Sequence, residues 1–282
     1  MLSLSLPTKL SFPQDARDYQ ILCLTLFLGL GMAARDWTLR PAIIATAIAT
    51  ALVCQWGLTR LLTEPRPVFN WRSPLISALG LSLLLRTDRL ETMALAAAVA
   101  IASKFLLRID GKHCFNPANL GIIAALALTG DAWVSPGQWG EEIWYGLVFI
   151  GAGGMVLKRV GRWDTTGMFL GSYALLEALR NLYLGWTWDV WSHRMMSGSL
   201  LLFALFMVTD PRSIPNARPA RLLWALAIAL LTFIFRNQFY LSTAVFWALF
   251  ILAPLTPLLD RLWQSPQFEW KQFESRVLES AR

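Results

Sequence analysis

Few residues in this chain could do chemistry, and most of them fall in short stretches. Residues 111–121 read GKHCFNPANLG and gather a lysine, a histidine, a thiol and two asparagines. Such a set could ligate a metal, activate a thiolate or hold a polar ligand. Metal and thiolate chemistry need partners at ligand spacing, and the sequence offers none. Cys23, Cys54 and Cys114 are scattered without a CxxC pair, His113 and His193 stand far apart, and no HExxH occurs. No GxSxG occurs either, so a hydrolase is not indicated. His113 and Cys114 therefore read as passengers. Asn116 before Pro117 reads as an N-cap with proline in the first helical turn. Asn119, three positions on, falls near the same face. The stretch is a helix mouth that either opens onto a ligand cavity or merely starts a helix.

Four further features carry polar groups into apolar surroundings. Thr87-Asp88-Arg89 and Thr209-Asp210-Pro211-Arg212 each close an apolar run. An acid at a helix C-terminus opposes the macrodipole, so it either starts a turn or faces a polar cavity. Ser197-Gly198-Ser199 opens another run and offers donors to a ligand. Lys104 follows twelve uncharged residues and lies one turn before Arg108. It either snorkels to the surface or stands as a buried cation for an anionic ligand. Glu177 and Arg180, at i and i+3, read as an internal ion pair or as part of a relay.

The elements that position these groups belong to a membrane protein. The chain is 56% hydrophobic and 15% charged, against roughly 25% charged in soluble domains. Uncharged runs recur at 19–34, 41–59, 73–85, 92–103, 113–130, 143–157, 165–176, 195–209, 222–235 and 237–259. They predict about ten transmembrane helices in an all-α integral membrane protein. No cleavable signal peptide is read at the start, and residues 1–18 are expected to form a cytoplasmic arm. With the N-terminus inside, seventeen of the 25 lysines and arginines fall on the inner side. The positive-inside rule then predicts both termini in the cytoplasm, and the expected location is the plasma (inner) membrane. The net charge of +7 follows that distribution and does not point to nucleic acid. Tryptophans near 133–144 and 186–191 read as interfacial belts. The tail, 261–282, has Trp270, Phe273 and Val277 at helical spacing among charges, as an interfacial helix would.

A shift of 122 residues lays one half of the chain on the other. Residues 77–89 fall on 199–211 with Ser77/Ser199, Leu79/Leu201, Leu83/Leu205, Thr87/Thr209 and Asp88/Asp210 identical. The sequence thus predicts a five-helix repeat over 19–130, a short outer loop over 131–142 and a second five-helix repeat over 143–260. An odd number of spans per repeat inverts the second copy. The runs 73–85 and 195–209 are too short to cross a bilayer: thirteen residues make about 20 Å of helix. Paired short, broken helices near these positions are the sequence pointer to a buried site.

Ordered landmarks carry a family resemblance from about residue 73 to 262. SPLISALGLSLLL (73–85), Lys104-Phe105 with Gly111 and Phe115-Asn116-Pro117-Ala118, MMSGSLLLFALFMVTDP (195–211) and FWALFILAPLTPLLD (246–260) come in sequence. In these the chain resembles the membrane D subunit of Rnf electron-transport complexes, a family that includes the B subunit of the sodium-pumping NADH:quinone reductase. The resemblance implies two inverted five-helix repeats on a urea-channel-like fold. It also implies flavin at the membrane, electron relay coupled to sodium or proton movement, and other membrane or redox subunits as partners, with a homo-oligomer left open. Members attach FMN to a threonine in a Ser-x-Ala-Thr motif of an outer loop. Here that loop, DAWVSPGQWGEE over 131–142, has no threonine, and Thr129 stands in a different context. Flavin, as FMN or riboflavin, is therefore expected non-covalently, with Lys104, Asn116, Asn119, Ser197, Gly198, Ser199, Thr209, Asp210, Thr87 and Asp88 as its candidate residues. The alternatives are a small-solute channel or transporter on the same fold without redox activity, and a structural subunit that retains only the fold.

Overall fold

A computed structural model describes residues 15–34, 38–63, 69–135 and 143–270. The arm up to residue 14, most of the 131–142 loop and the tail beyond Trp270, with Phe273 and Val277, lie outside the described residues.

The described residues are mostly helical. The first half holds α1 (Ala16–Ala34), α2 (Pro41–Leu62), α3 (Arg72–Leu84), α4 (Leu90–Leu106) and α5 (Pro117–Leu128). The second holds α6 (Ile143–Val160), α7 (Trp163–Tyr183), α8 (Trp188–Met195), α9 (Gly198–Leu202), α10 (Arg218–Gln238), α11 (Ala244–Leu252) and α12 (Thr256–Leu262). Three helical stretches, Pro41–Leu62, Arg218–Gln238 and Ala244–Leu262, are long and apolar enough to cross a membrane. These lengths and the composition make this an all-α membrane protein.

Local chemistry sets the breaks. Prolines at the first turns of α2, α5 and α10 start those helices without losing a needed N–H. The last apolar stretch is interrupted at Pro254, where a 3₁₀ turn over Ala253–Leu255 joins α11 to α12. The two short runs behave differently. The first forms α3 and ends in strand β1 (Leu85–Thr87). The second forms only α9, then a π-helical turn over Phe203–Met207. The amphipathic α8, with no fully buried residue, precedes it.

Two small antiparallel strand pairs, one of them a hairpin, mark the two ends of α5. Strands β2 (Arg108–Ile109) and β3 (Lys112–His113) pair before it, turning on Asp110 and Gly111 at positive φ. After it, β4 (Ala132–Val134) pairs antiparallel with β1, Arg86 opposite Trp133. So α3 ends beside the C-terminus of α5. The segment after the π turn ends beside the N-terminus of α5, where His113 N–H donates to Arg212 O at 3.2 Å. The two short helices therefore run in opposite senses along α5.

Packing pairs recur in the two halves. Helix α1 packs on α3, α2 on α4 and α4 on α5; α6 packs on α9, α7 on α10 and α10 on α11. Between halves, α1 meets α6 and α5 meets α11. The α4–α5 seam is built of small residues, with the fully buried Ala96 and Ala100 against Gly121. A Cβ on Gly121 would stand 2.5 Å from Ala96 O. Only glycine allows this approach, the close backbone contact that membrane helices use in place of hydrophobic drive.

Candidate functional site

A cavity opens between α1, α3, α6, the π turn and the hairpin before α5. It has about 120 Å³ of room for the centres of water molecules, several times the room one water needs (about 10–15 Å³). Its walls are mostly aliphatic, from Leu24, Leu83, Val156 and Leu202, and its polar groups gather at the end nearest α5.

Lys104 dominates that polar end. Its side chain reaches back from the last turn of α4 and the residue is 5% exposed, so it does not snorkel. Its ammonium donates to Ser73 O and Ser73 Oγ, each at 3.1 Å. These use two of its three N–H groups, and among the described residues it forms no ion pair. A buried cation with only neutral partners is costly. Asp210 is the carboxylate that acts on it electrostatically without closing a salt bridge.

Asp210 is held in place. Its Oδ2 accepts from Ser213 Oγ at 3.0 Å and from Asn116 Nδ2 at 3.4 Å, and its Oδ1 accepts from Arg212 N–H at 3.2 Å. Asn116 is a latch: Oδ1 caps α5 through Asn119 N–H at 3.0 Å, while Nδ2 also reaches Met207 O at 3.3 Å. Thr209 Oγ1 is spent on Leu205 O at 2.9 Å. His113 also lines the cavity, with Nδ1 buried and without a partner. Burial first, then Arg212, Lys104 and Arg108, push its imidazole down to about 3, so it is neutral at pH 7. Trp270 also lines the cavity, with the Arg17 guanidinium 5.0 Å above its ring.

Of the ten candidate residues, Lys104, Asn116, Thr209 and Asp210 line this cavity. Asn119 does not; it is 1% exposed and its Nδ2 donates to Phe246 O at 3.1 Å. Ser197, Gly198 and Ser199 stand at the other end of the broken helix, where the two hydroxyls lie 3.0 Å apart. Thr87 and Asp88 lie at the far end of α5. There Asp88 N–H donates to Asp131 O, and the Asp131 carboxylate takes Thr92 Oγ1 at 2.8 Å and Arg89 N–H at 3.1 Å. Thr129, also there, bonds back to Ala125 O at 2.7 Å.

Other readings change. Glu177 does not pair with Arg180. Its carboxylate takes Arg194 Nη1 at 2.7 Å and Asn237 Nδ2 at 2.8 Å, while Arg180 lies over Trp186 at 4.7 Å. His113, read as a passenger, lines the cavity. Ser73 and Ser77 line it too and are missed as site residues by sequence reasoning, although their i, i+4 spacing on a short apolar helix is a usable signal.

Comparisons with known proteins add an independent finding. A family model described as the NQR2, RnfD, RnfE family matches residues 127–269. The chain is 30% identical over 154 residues to the D subunit of an ion-translocating oxidoreductase complex of Stutzerimonas stutzeri, covering 55% of this chain and 40% of that one. It is 24% identical over 228 residues to a protein of the same description in Halorhodospira halophila, covering 80% and 61%. The D subunit of a proton-translocating ferredoxin:NAD(+) oxidoreductase complex of Clostridium ljungdahlii is 24% identical over 276 residues, covering 80% and 83%. The chain thus spans less than two thirds of the length of the first two.

Proposed function

This chain belongs to the NQR2, RnfD, RnfE family, and we propose that it serves as a membrane component of an ion-translocating electron-transfer assembly, holding a flavin non-covalently in the Lys104 cavity. The observation that carries the reading is a buried ammonium, facing a cavity, with a free N–H and no ion pair among the described residues. An electron-rich ligand edge would offset that charge. The relatives' names supply the class of assembly, and with it other membrane and redox subunits as partners.

The residues present fit a flavin. Lys104 Nζ and the unpartnered His113 Nδ1 would meet the polar edge of the ring, while the aliphatic walls would take its dimethylbenzene end. A bound flavin would supply one- and two-electron redox chemistry. Ser73 fixes the lysine, Asn116 and Ser213 fix Asp210, and Trp270 adds an aromatic wall. Between such aliphatic walls the ammonium would act at lower dielectric than in water, where it would favour added negative charge on a bound ring. Coupling to sodium or proton movement belongs to the same proposal.

We also propose that the two halves are inverted five-helix repeats in the plasma membrane with both termini cytoplasmic. The recurring packing pairs, the counterpart contacts α1–α6 and α5–α11, and the opposed short helices support it.

The test is direct. Purify the full chain in mild detergent after flavin-replete expression, record its visible spectrum, then precipitate it with acid. Flavin released to the supernatant is expected. Flavin retained in the pellet would mean a covalent link, and none in either fraction would end the flavin reading. Solute flux into liposomes without a redox partner would favour a channel instead.

A further inference from the structure

At the starts of α7 and α10 three arginines cluster near one carboxylate, and two of them bind it. Arg221, 5% exposed, donates through Nη2 to Asp164 Oδ2 at 2.9 Å, and its Nη1 binds Asn216 O. Arg218 Nε lies 3.4 Å from the same Asp164 oxygen, with its side chain 65% exposed. The Arg162 side chain has neither a hydrogen bond nor an ion pair among the described residues; its guanidinium lies over Phe268 at 5.5 Å. The Nε of Arg162 and the Nε of Arg221 are both buried without partners.

The charge does not balance. Three guanidinium groups face one carboxylate, and the nearby Lys112 is already spent on Asp260 at 2.6 Å. Burial first, then repulsion from Arg221, pulls the Arg162 guanidinium down to about 10. Two helices of 21 residues begin here, and the positive ends of their dipoles add to the same field. A largely buried guanidinium has five N–H donors, and leaving them unpaired costs more than a neutral group would.

The surroundings say what kind of anion fits. Trp163, beside Arg162, is 63% exposed. From the Arg218 end of α10 an exposed apolar stripe runs along one face through Leu223, Leu230 and Ile234, at i, i+7 and i+11. Planar guanidinium forks match phosphate oxygens in pairs. Basic pockets between membrane helices take phospholipid headgroups on these terms.

We propose that Arg162 and Arg218, backed by the buried Arg221, bind a phosphate-bearing anionic group, and that its source is a phospholipid whose acyl chains lie along Leu223, Leu230 and Ile234. This site is separate from the Lys104 cavity and does not depend on flavin.

The experiment uses the full chain in mild detergent, with native mass spectrometry and thermal unfolding as readouts. Phosphatidylglycerol, phosphatidylcholine and inorganic phosphate are added separately to the parent protein and to an Arg162→Gln/Arg218→Gln variant. Phosphatidylglycerol is expected to be retained and to raise the unfolding midpoint. Phosphatidylcholine, whose choline offsets its charge, should not. The double variant should bind phosphatidylglycerol about thirty-fold more weakly, at roughly five-fold per arginine lost. An equal effect of inorganic phosphate, also lost in the variant, would keep the phosphate site and overturn the lipid as its source. Equal retention of both lipids, or undiminished binding by a folded variant, would overturn the proposal. Should the double variant misfold, Arg218→Gln alone, at an exposed position, carries the same test with about a five-fold loss.

Discussion

Two buried lysines eight residues apart should respond to the same substitution with opposite signs. Lys104 is 5% exposed and rests on Ser73 O and Oγ, both neutral acceptors. Lys112 is 7% exposed and closes a 2.6 Å salt bridge with Asp260, whose other oxygen takes Asn216 N–H at 2.7 Å. Lys104→Met removes a desolvated charge whose partners can return to neutral bonding. Replacing such a charge by a flexible apolar chain of similar length typically stabilises by about 1–4 kcal/mol. At roughly 2–4 °C per kcal/mol for a chain of this order, the flavin-free protein should melt about 2–16 °C higher. Lys112→Met instead strands the Asp260 carboxylate. Breaking a buried pair costs about 3–5 kcal/mol, which sets an upper bound here because Asp260 keeps some solvent contact. The midpoint should fall. If Lys104 is the charge that meets a flavin, Lys104→Met should also weaken flavin retention about ten- to a hundred-fold, the worth of a charge-assisted hydrogen bond. Differential scanning fluorimetry of flavin-stripped protein and equilibrium dialysis against FMN and riboflavin give the two readouts. A fall in midpoint for both variants, with flavin binding unchanged in Lys104→Met, would refute the reasoning on each count.

The α4–α5 seam offers a steric test. Gly121→Ala would put a methyl 2.5 Å from Ala96 O, a backbone atom that cannot rotate away, whereas Gly171 has nothing within 4 Å of its added Cβ. The first should destabilise by about 1–3 kcal/mol, and the second should be neutral or stabilising by up to about 1 kcal/mol from helix propensity; equal midpoints would contradict the close approach. Asn116→Ala removes both the cap of α5 and the tie to Met207 O, so thermal unfolding should show a loss of about 1–3 kcal/mol, more than a cap alone. His113 sets a pH dependence. Its folded value near 3 lies below the ordinary 6.5, so the unfolded chain binds the extra proton between those limits and stability is lost as pH falls. Between pH 7 and pH 5 its share should be about 2 kcal/mol at most, and His113→Asn should flatten the midpoint-against-pH curve over that window.

What the sequence could and could not say follows from how each signal arises. Uncharged runs report helices because burial and membrane insertion act on composition, so 73–85 is matched by α3 over Arg72–Leu84 and 237–259 by the stretch to Leu262. The π turn inside 195–209 left no such trace, because it answers to how Phe203 and Leu205 pack on neighbours distant in the chain. The internal repeat misled at one point for a physical reason. Matching Thr87-Asp88 to Thr209-Asp210 finds positions equivalent within each half, but the two short helices run oppositely along α5, so one pair lines the cavity and the other meets Asp131 at the far end. Spacing along one helix likewise names neighbours without naming partners. Arg180 is one turn from Glu177, yet Arg194 takes the carboxylate because α8 folds back over α7 while Arg180 turns to Trp186. His113 is the sharpest case. With no partner in the sequence it looked idle, and that lack of a partner, once Nδ1 is buried beside Lys104 in a cavity, is what makes it a group for a ligand to satisfy.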